Sequence, residues 1–494
     1  MKNAKKIVAL MMILCLALPL LCACNQNVST ETSGSQITIE APEGADPNTI
    51  LDVPTDIDYD GYTFTFFTGS NVSTCPFIFT ADEEDNAIDE AIHIRNTTIE
   101  EMYNIEIEEI REIKDSTAGA GAAYLAIQAS YDSNDALYDA AVASGYDCGT
   151  LACSGMLADL RTFGQINLNK VWWDQAANQQ LTIGERTYFT AGDISYIDDN
   201  FTYAIVFNKE MAKAHDLGDM YKLVEDGKWT YEKLYEYSKV VTSLDNIDGY
   251  SEDDVYGFLG YVDTIWMSFS STGATIARIG DSGALELTLN SEKNFKTLVD
   301  WTEFGQNESF VNWQLDAEAK KTGWAKIYSN AQALFFGATI DGIYKLRNTD
   351  VDYGFLPWPK YDETQEKYTS GMAPNHISLF CIPNVGDDEH RERASILVEA
   401  ISYCSSIVTE GFYEKNLHGK SVRDDESNAT LDIIFANKIF DLGYYYNIGT
   451  YRAGMFNRFK AGDVSYSTFY EEQYDNAMQK IKQINDLYNG LLDL

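Results

Sequence analysis

Several stretches of this 494-residue chain space acidic or glycine residues as metal and phosphate sites do. Asp56-Ile57-Asp58-Tyr59-Asp60-Gly61 begins like a calcium loop, with carboxylates at alternate positions and a glycine for the sharp turn. The twelfth position must supply a bidentate carboxylate and is Phe67, so a solvated acidic turn is expected instead. Gly119-Ala120-Gly121 opens like a dinucleotide loop, but Tyr124 stands where the third glycine belongs, and no G-x-x-x-x-G-K-[ST] occurs. Asp82-Glu83-Glu84-Asp85 and Glu252-Asp253-Asp254 are charge runs of the kind that form solvated faces in an acidic chain. His93, His215, His376, His390 and His418 show no paired ligand spacing. Neither a metal nor a cofactor is expected.

Covalent chemistry has no better support. No G-x-S-x-G elbow is present, and Cys75, Cys148, Cys153, Cys381 and Cys404 lie in no recognisable nucleophile setting. Their odd number and the lack of C-x-x-C spacing also argue against a disulfide framework. An acid pair for glycoside hydrolysis is a property of the fold, which spacing alone does not supply. The chain is not expected to be an enzyme. Stacking chemistry remains. Trp172, Trp173, Trp266, Trp324 and Trp358 fall near predicted element ends, most with polar neighbours. Aromatic faces bind the C–H patches of neutral sugars, while Asp and Asn side chains take the hydroxyls. Large cores need tryptophans too, so for each of them the core alternative stays open.

The elements that must position such residues begin after a targeting signal. Lys2, Lys5 and Lys6 precede an apolar run over residues 7–20, too short for a spanning helix, and small residues then lead into Leu21-Cys22-Ala23-Cys24. This resembles a bacterial lipoprotein signal, in which Cys24 is lipidated and becomes the new N-terminus. Residues 1–23 are then the signal, and the Ser-, Thr- and Asn-rich residues 24–55 a flexible tether. The body would sit at the cell membrane, lipid-anchored on the extracellular face, with lipid as its only membrane contact. A net charge of −40 disfavours nucleic acid and anionic surfaces as partners.

A body this long exceeds one ordinary core, so two lobes are expected. Alternation predicts strands over 62–66, 105–110 and 137–143, with helices over 86–103 and 124–131 between them and another beginning near Thr150. Strands over 204–207, 255–259, 333–336, 353–356 and 377–382 follow, with Thr230 as an N-cap. Helices over 393–403, 430–440 and 468–492 dominate the last third. Alternating strands and helices predict an α/β fold with parallel sheets.

Four motifs in order resemble extracellular solute-binding proteins of family 1, the sugar-binding components of ABC importers. Ala204-Ile205-Val206-Phe207-Asn208-Lys209-Glu210-Met211 is similar to that family's strand ending in F-N-K. Glu225-Asp226-Gly227-Lys228-Trp229-Thr230-Tyr231 resembles its W-[TD]-[WY] helix start, and Asp352-Tyr353-Gly354-Phe355-Leu356-Pro357-Trp358-Pro359 its Y-G-x-x-P-x-P segment. Residues 144–160 resemble the loop and helix after its third strand, and the likeness runs from residue 62 to the end.

The resemblance implies a two-lobed periplasmic-binding-protein-like fold (type II), each lobe a mixed, mostly parallel sheet flanked by helices, joined by a hinge. Residues 56–195 and 372–423 would form lobe 1, and residues 196–371 and 424–494 lobe 2. The implied ligand contacts are Thr68, Gly69, Tyr146, Asp147, Asp198, Asp199, Trp266, Thr339 and Tyr445. Many relatives carry an aromatic where Thr339 stands, and Tyr444, Tyr445 and Tyr446 are the residues that could replace it. Asp198-Asp199-Asn200 reads equally as a turn or helix cap. The implied partners are a carbohydrate and the permease of an ABC transporter, with the chain a monomer; the alternatives are a lipoprotein that binds peptides or other small solutes and a surface glycan-degrading enzyme.

Overall fold

Phenylalanines decide where the first sheet forms. The computed structural model describes residues 46–70, 78–81, 87–114, 120–245, 249–374, 376–418 and 422–490. The signal, Cys24, Cys75, Gly119 and the 82–85 acid run lie outside the described residues. β1 (Tyr62–Ser70) alternates as far as Phe66, then is buried on both faces to Ser70, beyond the predicted end. A central strand needs no polar face. β2 (Ile105–Ile113) and β3 (Ala140–Ser144) flank β1, both parallel to it. β2 is the edge: Ile105 and Ile107 face inward and Glu106 and Glu108 outward, charges that discourage pairing with another chain. Helices Ala87–Tyr103 and Ala122–Ser133 make the connections, and β4 (Phe189–Thr190) forms the far edge.

The second sheet is built next. Its strands are β5 (Tyr203–Asn208) and β6 (Tyr256–Gly260), then, past the separate hairpin β7 (Ala277–Ile279) and β8 (Leu285–Leu287), β9 (Phe310–Asn312), β10 (Ala333–Thr339) and β11 (Tyr353–Leu356). Their order is β11-β5-β10-β6-β9. After the short β12 (Ser370–Gly371), β13 (Ser378–Cys381) returns to the first sheet between β3 and β4, and β14 (Lys438–Ile439) pairs with β12. Each sheet therefore mixes two parallel with two antiparallel pairings. The antiparallel pairs involve β13 and β5, strands reached from the opposite lobe.

The chain crosses between sheets at 191–202 and 372–377, and these crossings are tied together: Ala373 N–H donates to the Phe201 carbonyl at 3.0 Å. Two expectations need correction. Residues 46–55, assigned to the tether, are docked: the Lys170 ammonium donates to the carbonyls of Pro47 (2.9 Å) and Ile50 (2.7 Å) and pairs with Asp52 at 3.0 Å. The Tyr103 hydroxyl holds the Pro54 carbonyl, and Val53 is buried. The helix expected over 430–440 is Asp425–Ala436, ending before Lys438 is drawn into β14. Among the described residues, no helix is long and apolar enough to cross a membrane.

Candidate functional site

β6, β9 and β10 run in one direction, so their carboxyl ends share one edge of the second sheet. In open α/β sheets that edge faces the crevice where ligands bind. Tyr261 and Asp263 follow β6, Trp313 and Gln314 follow β9, and Thr339 ends β10. The first lobe contributes Tyr146, in the first turn of the helix Gly145–Cys153 that leaves β3. The helix Tyr451–Ala461 adds Arg452 and Phe456. Together they enclose a cavity of about 590 Å³.

Three aromatic pairs line this one cavity. Trp266 stacks on Phe456 with centroids 5.4 Å apart, Trp324 on Phe336 at 5.0 Å, and Trp313 lies tilted to Tyr261 at 6.1 Å. A ring backed by a second ring is held in one plane, so it offers a ligand a preset face. The two lobes also touch here: the Arg452 guanidinium sits 3.8 Å from the centre of the Tyr146 ring, and within lobe 2 Trp266 Nε1 holds the Arg452 carbonyl at 3.2 Å. Burial lowers the Arg452 pKa to about 10. Burial also pushes the Asp263 carboxyl up to about 7, while Asp341 is paired with Lys345 at 2.8 Å. Tyr146 Oη and Trp313 Nε1 are buried in these walls without a hydrogen-bond partner among the described residues. Such a site can stack on flat apolar faces and exchange a few placed hydrogen bonds.

Of the sequence-predicted contacts, Tyr146, Trp266 and Thr339 line the cavity. Thr339 also caps the helix Ile340–Tyr344, accepting from Gly342 N–H, and the Trp324–Phe336 pair supplies the aromatic platform beside it. The other positions lie elsewhere. Thr68 donates to Glu109, a carboxylate that also gathers the N–H groups of Ile78, Phe79 and Thr80. Gly69 lets a helix approach β1, since a Cβ there would lie 2.5 Å from that of Ala123. Asp147 accepts from Gly121 N–H at 2.8 Å and serves the helix Ala122–Ser133. Asp198 and Asp199 bind the buried ammonium of Lys438 at 2.6 and 2.9 Å. Tyr445 is pressed against Gly145 and borders a smaller cavity of about 190 Å³ behind Tyr146. Trp172, Trp173 and Trp358 are core.

Sequence reasoning missed Tyr261, Asp263, Trp313, Phe336 and Arg452. The available signal was position: the first two follow a predicted strand, and Phe336 ends one.

No protein-family model and no curated protein matches the sequence. Solved structures do match in shape. An ABC substrate-binding protein from Listeria monocytogenes in complex with cycloalternan is 12% identical, covering 86% of this chain and 100% of that one, with a TM-score of 0.54. A cyclo/maltodextrin-binding protein complexed with maltotetraose is 12% identical over 85% of this chain and 96% of that one, with a TM-score of 0.56. A family 1 extracellular solute-binding protein from Bifidobacterium longum subsp. infantis is 13% identical over 86% of this chain and 98% of that one, with a TM-score of 0.51. The fold of this chain is thus the two-lobed α/β fold of the extracellular solute-binding proteins.

Proposed function

We propose that this chain is a lipid-anchored solute-binding protein of family 1 that captures a carbohydrate between its lobes and delivers it to the permease of an ABC importer. The observation that carries the reading is the set of three aromatic pairs around one interlobe cavity, at the carboxyl ends of parallel strands. The sugars bound by the neighbours of like fold, cycloalternan and maltotetraose, agree with it. Mechanism is closure about the crossings: ligand touching both Tyr146 and the Trp266 wall stabilises the closed state and shifts the population toward it. No bond is made or broken on the polypeptide. The run over residues 7–20 and the Leu21-Cys22-Ala23-Cys24 motif support the anchor, with Cys24 lipidated on the extracellular face of the cell membrane. The protein works as a monomer, and its charge of −40 keeps nucleic acid away.

The test is tryptophan fluorescence and thermal melting of the purified full chain, titrated with maltose, maltotriose, maltotetraose, cycloalternan and D-tagatose. Saturable quenching with a melting point raised by at least one of them is expected. Silence from all five, against a response to peptides, would sink the carbohydrate reading; a cleaved product would make the protein an enzyme.

A further inference from the structure

Among the described residues, the aspartates at helix starts behave alike, with one exception. Asp174, Asp219, Asp316, Asp387, Asp424 and Asp441 each turn the carboxylate back to accept a backbone N–H of their own helix. That is the ordinary work of an N-cap aspartate. Asp263 also precedes a helix, Thr264–Ser271, but its backbone is already helical (φ −74°, ψ −9°) where the six others are extended, so its carboxylate is not turned back and makes no such bond. Its carboxylate borders the interlobe cavity instead, between the Trp266–Phe456 and Trp313–Tyr261 pairs in sequence, with no hydrogen bond or ion pair among the described residues. Two other polar groups of the same walls stand without partners, Tyr146 Oη from lobe 1 and Trp313 Nε1 from lobe 2. A buried polar group without a partner costs stability, and a fold tolerates it where a ligand completes it.

We propose that Asp263 is the specificity-determining acid of the cleft: it is ionised in the complex, accepts a pair of sugar hydroxyls, and couples binding to release of a proton. The inference rests on the carbohydrate reading above. A carboxylate can accept from two hydroxyls at once, which its protonated form does less well. The charge on Asp263 faces the phenols of the buried Tyr203 and Tyr444 and of the partly buried Tyr261, all raised in pKa partly by that charge. The remaining titratable groups of the cavity wall are Tyr146, Asp341, Lys345, His376 and Arg452. Desolvation is the one cause of the raised carboxyl pKa, so no neighbouring cation holds the free carboxylate charged. The sign follows. In the empty cleft near neutral pH part of the population carries the proton; hydroxyl donors favour the ionised form, so affinity rises with pH and falls on acidification.

Titration calorimetry of the full chain with maltotetraose, or with whichever sugar of the panel binds if it does not, tests this at pH 5.5, 6.5 and 8 in buffers of differing ionisation heat. The expected result is release of roughly half a proton or more per sugar at pH 6.5, and affinity falling about three- to tenfold per pH unit below neutrality. Asp263→Asn should bind about 10- to 100-fold more weakly at pH 8, release no proton, and lose the pH dependence. It should also melt no lower than the wild type at pH 8, because the substitution removes an unpartnered carboxylate; a merely structural acid would melt lower. Sugar binding with no proton release, or an unchanged affinity in Asp263→Asn, overturns the assignment and leaves the carbohydrate reading standing. Binding of none of the sugars overturns both.

Discussion

Asp147, Asp198 and Asp263 are acids near the ends of strands or at a crossing, and what donates to each decides its task. Asp147 follows β3, in the position where the family resemblance implies a ligand contact. Its carboxylate is spent on Gly121 N–H at 2.8 Å and, more weakly, Tyr124 N–H at 3.4 Å, the donors that open the helix Ala122–Ser133. A negative charge there satisfies orphan N–H groups and the helix dipole. Replacing Asp147 with Ala should cost about 1–2 kcal/mol in urea unfolding, and sugar affinity should stay within about twofold, since no bond to the cavity is lost. An affinity loss much beyond that, with stability intact, would return Asp147 to the binding wall. Asp263, one residue type and a comparable setting, carries the opposite expectation because nothing among the described residues donates to its carboxylate.

At the scale of elements, the helix Gly145–Cys153 holds the first lobe's side of the cleft through two glycines. Gly145 and Gly149 are four apart and so share a face. A Cβ on Gly149 would lie 2.2 Å from the Tyr445 carbonyl oxygen, and one on Gly145 2.5 Å from the Tyr445 ring. The short helix Leu442–Tyr445 is therefore seated almost backbone to backbone, and Tyr146, between the glycines, is aimed at the cavity. In Gly149→Ala the clash is with main chain, which no rotamer relieves. The seat must shift, at a cost of about 1–3 kcal/mol. Thermal melting should show the loss and fluorescence titration a weaker sugar affinity; unchanged affinity would mean that this helix does not set the position of Tyr146. Elements of this kind were legible in the sequence where periodicity was long. β1, β10 and the helix Ala87–Tyr103 emerge within a few residues from alternation and three-to-four spacing. β9 did not, because three residues give no period, and Trp313 at its end was missed with it. Arg452 was missed because its partner Tyr146 lies in the other lobe. In the sequence Asp263 looks like any other helix-start aspartate; only its helical φ and ψ and its missing cap bond set it apart.

At the scale of the whole molecule, one buried ammonium gathers the segments that join the lobes. Lys438 Nζ lies 2.7 Å from Asp174 in lobe 1 and 2.6 and 2.9 Å from Asp198 and Asp199 at the first crossing. The Tyr413 hydroxyl, from the returning chain, donates to Asp199 at 2.6 Å. The carboxylates raise the Lys438 pKa well above its ordinary value despite burial, while desolvation pushes Asp198 up to about 7. Lys438→Met leaves three buried carboxylates without their cation, and should cost about 3–5 kcal/mol in urea unfolding at pH 8. The pH dependence has a definite sign. A carboxyl whose folded pKa lies above its unfolded value near 3.8 destabilises the fold at high pH and stops doing so as pH falls through the folded pKa. Losing Lys438 removes the cation that holds Asp174 below its ordinary value and raises Asp198 further, so the deficit of the variant should be largest at pH 8 and shrink by pH 5.5. A deficit equal at the two pH values would mean that the lysine's charge does not hold the junction. Equal stability of variant and wild type at pH 8 would dissolve the cluster altogether. If both expectations hold, sugar affinity in the variant should also fall, because closure needs the crossings to turn together, although the tie that makes them one pivot does not line the cavity.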